Sequence, residues 1–368
     1  MKKVLVIGMT SVAGGVESFL MNYYRRLNDR GVHFDFLCPS LNPIAYSDEI
    51  NENSKIFYVI PKSKNPFSHR KQLEQFFFEH KGEYIAIWAN LNSLINVDYL
   101  KVAKKLGVKT IIVHSHNSNN MGGLLQNILH NYHKANIANI ATDYWACSKS
   151  AAEWFYPEGL LEKTVIVNNA ISVGDYTYDI TKRNEIRAKY GLEGKKVIGH
   201  IGRLHFQKNQ KFILELFKEL FVQDSSYRLL LIGTGPDRQM LEEKASELRI
   251  ENRVLFLGQQ NDIAGWLSSF DLFLFPSLFE GLSIVGLEAQ ANGIPIVCSE
   301  SAIGDEGLIS PNVKRLSLDA ERSEWCSEVA AMIGNRRISS KEIQRDFRIH
   351  GFDIEQESEK IGKFFRTI

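Results

Sequence analysis

The sequence predicts an α/β protein made of two doubly wound domains, each a parallel sheet wrapped by helices. Three observations carry this reading. The 368 residues exceed the length over which one hydrophobic core usually grows. Short β-branched runs alternate with helix-length amphipathic segments in both halves, the pattern of strand–helix–strand units. That alternation halts once, over residues 172 to about 182, where polar and tyrosine-bearing sequence shows neither a helical nor an alternating period. The expected domains are therefore 1–172 and 173–349, with a helical segment of about 350–368 able to pack back on either one, the first included.

In the first domain the strand signals fall at 4–8, 34–38, 84–88, 109–114 and 143–147, with a helix over 15–27 and a last strand at 164–167. In the second they fall at 196–200, 228–232, 254–257, 272–275 and 294–298, with a helix over 210–222. Hydrophobic residues at 44% and charged residues at 24% suit compact folding rather than extended disorder. The 44 Lys and Arg nearly cancel the 43 Asp and Glu, so no whole-molecule field gathers nucleic acid, and an anion must be held by local groups. Cys38, Cys147, Cys298 and Cys326 are scattered without a C-x-x-C pair and read as reduced thiols. The run Val4-Leu5-Val6-Ile7 after Lys2 and Lys3 is too short for a signal peptide, and no other apolar run suits a membrane span. A cytoplasmic protein is expected, attached at most peripherally to the inner face of the membrane.

Chemistry concentrates where strands end. The first strand runs into Gly8-Met9-Thr10-Ser11-Val12-Ala13-Gly14-Gly15-Val16-Glu17, a small-residue loop that opens a helix near Gly15. Amides at a helix start attract anions, and glycines permit close approach; the spacing is neither that of a dinucleotide fingerprint nor that of a P-loop. In the second domain Pro276-Ser277-Leu278-Phe279-Glu280-Gly281-Leu282-Ser283-Ile284-Val285-Gly286-Leu287-Glu288 follows an apolar strand and starts a helix. Glu280 then lies at the carboxyl end of the sheet, where open α/β sheets bind ligands, and Ser283 and its neighbours present amides. Gly202-Arg203-Leu204 and Gln207-Lys208-Asn209 place two cations along the same edge, suited to a leaving diphosphate. His114-Ser115-His116-Asn117 ends a strand of the first domain. A metal centre recruiting His130 and His133 is one reading of those histidines; contact with a sugar hydroxyl, at a pH where imidazole both donates and accepts, is the better one.

Taken together and in this order, with Gly233-Thr234-Gly235-Pro236 and Leu257-Gly258 between them, these motifs resemble the retaining glycosyltransferases of family 4, over nearly the whole chain. The spacing from Glu280 to Glu288 is similar to that family's E-x7-E motif. The combination of Gly-Gly-x-Glu, His-Ser-His-Asn and Phe-Glu-Gly-Leu is most similar to EpsF-type bacterial exopolysaccharide and capsule transferases. The resemblance implies the GT-B fold, two facing Rossmann-like domains with a deep interdomain cleft, and it implies roles. Arg203 and Lys208 hold the donor diphosphate, helped by the backbone of Gly202 and of Leu282, Ser283, Ile284 and Val285. Glu280 meets the transferred sugar, Glu288 the ribose, and the region after Gly258 the base. Gly14 and Gly15 bring amides to the diphosphate, and His116 touches the donor sugar. Two departures stand out: Asn168-Asn169-Ala170 replaces the usual Asn-Gly, and Leu282-Ser283 replaces Phe-Gly.

The expected reaction is transfer of a sugar from a nucleotide-diphosphate sugar, UDP-linked first among the choices, to a glycan or polyprenyl-linked glycan. It is expected to proceed with retention and without metal or cofactor, since the chain has no Asp-x-Asp. A sugar-nucleotide epimerase of the same fold and a non-catalytic sugar-nucleotide-binding protein are the alternatives. Lys62, Lys64, His69, Arg70 and Lys71 with Phe76-Phe77-Phe78 suggest a basic, aromatic helix that touches anionic lipid heads, against the plainer reading of a buried aromatic face.

Overall fold

The computed structural model describes residues 3–28, 30–118 and 123–368. The chain divides into two units, Met1–Ala170 with Ile354–Ile368, and Ile171–Asp353. In the first, β1 (Lys3–Ile7), α1 (Gly15–Asn28), β2 (His33–Cys38), β3 (Ile56–Tyr58), α2 (Pro66–Glu79), β4 (Tyr84–Leu91), α3 (Asp98–Lys105), β5 (Thr110–Ser115), α4 (Leu124–Ala135), β6 (Asp143–Ala146), α5 (Lys149–Phe155), α6 (Glu158–Leu161) and β7 (Val165–Ile166) form a wholly parallel sheet of order β3-β2-β1-β4-β5-β6-β7 with its helices. In the second, α7 (Ile180–Lys189), β8 (Lys196–Ile201), α8 (Gln210–Gln223), β9 (Tyr227–Ile232), α9 (Arg238–Glu247), β10 (Val254–Gly258), α10 (Ile263–Ser269), β11 (Leu272–Phe275), α11 (Ile284–Asn292), β12 (Ile296–Ser299), β13 (Val313–Leu316), α12 (Arg322–Met332) and α13 (Ser340–Ile349) build a parallel sheet of order β10-β9-β8-β11-β12-β13. A final helix, α14 (Ile354–Thr367), belongs to the first unit.

Parallel strands are covered on both faces, so their side chains are apolar nearly throughout. Val4, Leu5, Ile87, Ile111, Ile112 and Val113 are buried in one sheet, and Ile198, Leu229, Leu231, Leu272 and Phe273 in the other. In each sheet the strand order reverses once, between β1 and β4 and between β8 and β11. Ligand crevices of open α/β sheets lie outside the carboxyl ends of strands at such points.

The stretch read as an irregular linker is more ordered than its pattern suggests. Residues 173–176 form a 3-10 turn, and Asp179 caps α7 by accepting from the amides of Thr181 and Lys182 at 2.8 and 3.1 Å. The helix packs through arginines as well as through Ile186, which weakens the hydrophobic period. Arg183 and Arg187 cover the carbonyls of Ser268, Ser269 and Phe270 at the end of α10 and pair with Asp271. On α2, Phe76 and Phe77 enter the core and only Phe78 of the trio is exposed; His69 is wholly buried on the Ile60 carbonyl. Phe76 and Phe77 are therefore committed to packing, while Phe67 and Phe78 face outward.

Candidate functional site

In the second unit, the crossover from β8 and the crossover from β11 bring the predicted residues together at the sheet's reversal point. Gly202 and Arg203 leave β8, and Lys208 ends a short 3-10 turn. The loop after β11 returns through Ser277, anchored by Ser299 Oγ on its carbonyl, and Glu280, whose amide donates to Ser301 O at 3.0 Å. Lys208 Nζ then donates to Glu280 Oε1 at 2.6 Å, with both side chains largely enclosed and the ammonium 5.2 Å from the Phe275 ring centre. Arg203, on the same crossover as Lys208, is exposed and without an ion pair among the described residues. One cation is thus neutralised in place while the other is available to an anion.

Helix α11 begins at this edge. Ser283 caps it, its hydroxyl accepting from the Gly286 amide at 3.3 Å, which leaves the earlier amides of the first turn pointing along the axis toward the loop. Leu282 and Val285 are half-buried and Ile284 is buried. Glu288, one helical turn further, accepts from the Tyr176 hydroxyl at 2.8 Å. Although part of the residue reaches solvent, its carboxyl is enclosed, and burial, opposed by that hydrogen bond, pushes it up to about 7. Gly258 ends β10 with φ +66°, and its carbonyl accepts from Gly233 N at 2.8 Å.

A pair missed in the sequence holds this edge from below. His200, wholly buried in β8, donates from Nδ1 to Leu274 O at 2.9 Å and accepts at Nε2 from Gln210, 3.2 Å away. Gln210 also donates to Arg203 O at 2.9 Å, so the strand histidine fixes the backbone that carries Arg203. Burial, aided by the Lys208 charge, lowers His200 to about 4 and keeps the ring neutral in this chain of bonds. The available signal was a polar residue inside an otherwise apolar strand.

In the first unit, Gly14 and Gly15 lead into α1, both exposed. Glu17 is buried and accepts from the Thr10 amide (3.1 Å) and hydroxyl (2.7 Å), folding the loop onto the helix start. His116 lies just past β5, where Asn90, at the end of β4, holds it. The Asn90 amide nitrogen donates to Trp88 O, so its oxygen faces His116 and receives Nε2–H at 2.9 Å. Phe19 and His114 enclose the ring, 4.6 and 4.1 Å away between centres, and burial pulls it down to about 3. Burial keeps the His116 ring neutral, with Nε2–H committed inward to Asn90 and Nδ1 left as the acceptor. His114 is wholly buried, stacked on Trp88 and accepting from its indole N–H at 3.3 Å, a packing residue.

His130 and His133 are tied to the Leu94 backbone, through its amide at 3.1 Å and its carbonyl at 2.6 Å. Among the described residues no group of three His, Cys, Asp or Glu side chains is placed to hold a metal ion. Of the replaced motif Asn168-Asn169-Ala170, the Asn168 carbonyl receives both the Tyr23 hydroxyl and the Ala170 amide, so a turn forms there without glycine.

Known proteins share this chain's sequence pattern and its fold. A family model described as glycosyl transferases group 1 matches residues 182–341. The Bacillus subtilis (strain 168) protein that carries the name glycosyltransferase EpsF is 31% identical over 369 residues, covering 96% of this chain and 94% of that protein. Anabaena HepE, crystallised with UDP and glucose, shares the fold at a TM-score of 0.79 with 18% identity, all of each chain being covered. Sucrose-phosphate synthase of Thermosynechococcus elongatus shares it at 0.78 with 18% identity, over 100% of this chain and 99% of that one.

Proposed function

We propose, from the premise that this chain belongs to the group 1 glycosyltransferases, that it transfers a sugar from a nucleoside diphosphate donor to a glycan, with retention and without a metal ion. It is an enzyme of the GT-B fold. The observation that carries the reading is the edge at β8 and β11: the Lys208–Glu280 pair, the uncommitted Arg203 and the start of α11 within one pair of crossovers. Departure of a nucleoside diphosphate develops negative charge on phosphate and positive charge on the sugar ring. Arg203, Lys208 and the amides of Ser283, Ile284 and Val285 stabilise the first; Glu280, held by Lys208, lies with the second. The acceptor hydroxyl attacks from the face that the phosphate leaves, and a phosphate oxygen takes its proton, so no protein nucleophile is needed. Glu288 receives ribose hydroxyls, and the region after Gly258 receives the base. Gly14, Gly15 and His116 keep the donor contacts that the family resemblance gives them.

UDP is the first donor nucleotide to test, because HepE was crystallised with UDP-glucose. A glycan or lipid-linked glycan of exopolysaccharide or capsule assembly is the acceptor class favoured by the EpsF relationship. We place the reaction at the cytoplasmic face of a membrane; no described helix is long and apolar enough to cross one. Metal-independence is supported by the absence of Asp-x-Asp from the sequence. The test is a panel of UDP-, GDP- and ADP-sugars with EDTA, followed by release of nucleoside diphosphate and by the anomeric configuration of the product. Release from one donor, lost in Arg203→Ala and in Glu280→Ala, supports the reading; a folded chain that neither binds nor turns over any donor overturns it. Conversion of the donor sugar without transfer identifies an epimerase.

A further inference from the structure

We propose that α4 is a lipid-docking helix that seats the first unit on an anionic membrane surface. Its polarity is inverted relative to an ordinary surface helix. The face turned inward carries His130 and His133, both buried, hydrogen-bonded to Leu94 and, for His130, stacked on Trp154 with ring centres 4.0 Å apart. The face turned outward carries Leu124, Leu125, Ile128, Leu129 and Tyr132, which are 37 to 81% exposed. These positions, i, i+1, i+4, i+5 and i+8, form one continuous stripe along the helix. Scattered exposed leucines are ordinary, but five large apolar side chains on one face of a twelve-residue helix are a contact surface.

Charge selects the partner. From Tyr99 to Thr142 the sequence has no Asp or Glu and five lysines. At the chain-wide frequency of 43 acidic residues in 368, about five would fall there. Two of these lysines, on α3, border the carboxyl-terminal end of α4: Lys101 Nζ lies 3.1 Å from His133 Nε2, and Lys104 Nζ donates to Asn139 O at 2.7 Å. Lys134, on α4 itself, reaches the Glu153 carbonyl at 2.7 Å. At this end Asp98 acts on His133 but is neutralised by Lys62 at 2.6 Å, so an apolar stripe bordered by lysines faces outward and matches acyl chains below anionic headgroups. A second copy of the chain is the poorer occupant, because a two-fold interface sets the same patch against itself and brings these lysines together.

The test is co-sedimentation of the full-length chain with vesicles of phosphatidylcholine alone and with roughly one third phosphatidylglycerol, at low and high salt. The wild type is expected to bind the anionic vesicles at low salt. Leu125→Asp with Ile128→Asp is expected to reduce binding about tenfold, and Lys101→Gln with Lys104→Gln to remove the preference for anionic lipid, both with unchanged circular dichroism melts. A wild type that stays in the supernatant with both vesicle types overturns the proposal. So does a stripe variant that binds as wild type, or a wild-type dimer by light scattering that the stripe variant converts to monomer. The vesicles contain neither sugar nucleotide nor glycan, so this result stands apart from the donor assay, and failure of either leaves the other intact.

Discussion

At the scale of single residues, the Lys208–Glu280 pair ties stability to chemistry. Removing one partner of an enclosed ion pair leaves the other charge uncompensated, at a cost of about 3–5 kcal/mol. Lys208→Ala is therefore expected to lower the melting temperature as well as donor turnover, whereas Arg203→Ala, at an exposed position without an ion pair among the described residues, should leave the melt unchanged and lower kcat about 100-fold or more. Parallel thermal melts and donor-release rates check the contrast. Glu288 gives a pH dependence of opposite sense to the usual carboxylate. Its folded value is raised to about 7, so the native state holds a proton that the unfolded state releases near 4.5. Stability conferred by that proton is full at low pH and falls as pH rises from about 4.5 to 7, by at most about 3 kcal/mol. Glu288→Gln should abolish that slope, so urea titrations at pH 5 and pH 8 should give the variant more nearly equal midpoints than the wild type.

At the scale of elements, the loops that leave the strands carry both fold and site, and their glycines divide into two kinds. A side-chain carbon at Gly233, where φ is +130°, would lie 2.0 Å from Gly202 O, and one at Gly235 would lie 2.1 Å from Leu204 O. The second loop is pressed against the backbone that presents Arg203. Gly233→Ala is expected to cost on the order of 3 kcal/mol and to lower the melting temperature. Gly15, by contrast, has open space around it, so Gly15→Ala should fold as wild type. A raised KM for the donor would then report the close approach of phosphate; an unchanged KM would remove Gly15 from the donor site. Legibility followed the same division. Strand ends and the loops after β1, β8 and β11 were readable because apolar runs stop at glycines and charges there. Helix α7 was not, because arginines pack it; nor was the His200–Gln210 relay, because a lone buried polar residue has no period. His116 was found by its motif, but its burial depends on Phe19 and His114 and its orientation on Asn90, partners brought together only by the fold.

At the scale of the molecule, the chain completes its first unit only with its last fifteen residues, Ile354–Ile368. Helix α14 lies along α1, where Arg26 and Arg30 pair with Glu355, and Arg30 also pairs with Glu359. Such exposed pairs contribute little, so the energy comes from the apolar face. Ile354, Ile361 and Phe365 are buried, with the Phe365 ring 5.8 Å from Trp88, 6.0 Å from Trp145 and 6.1 Å from Phe34. At about 1.5–3 kcal/mol for each large apolar side chain, these three residues contribute roughly 5–9 kcal/mol, comparable with the whole stability of a domain. Ending the chain at Asp353 is expected to unfold the first unit and to spare the second, which retains all of its strands. Limited proteolysis of that truncated chain should leave a resistant fragment near 171–353, while a protected fragment of the first unit would show that α14 is dispensable. Phe365→Ala is the milder form of the same test. It should cost about 3–5 kcal/mol, with a red-shifted emission from Trp88 and Trp145, and an unshifted spectrum with an unchanged melt would place the stability of this unit in its sheet alone.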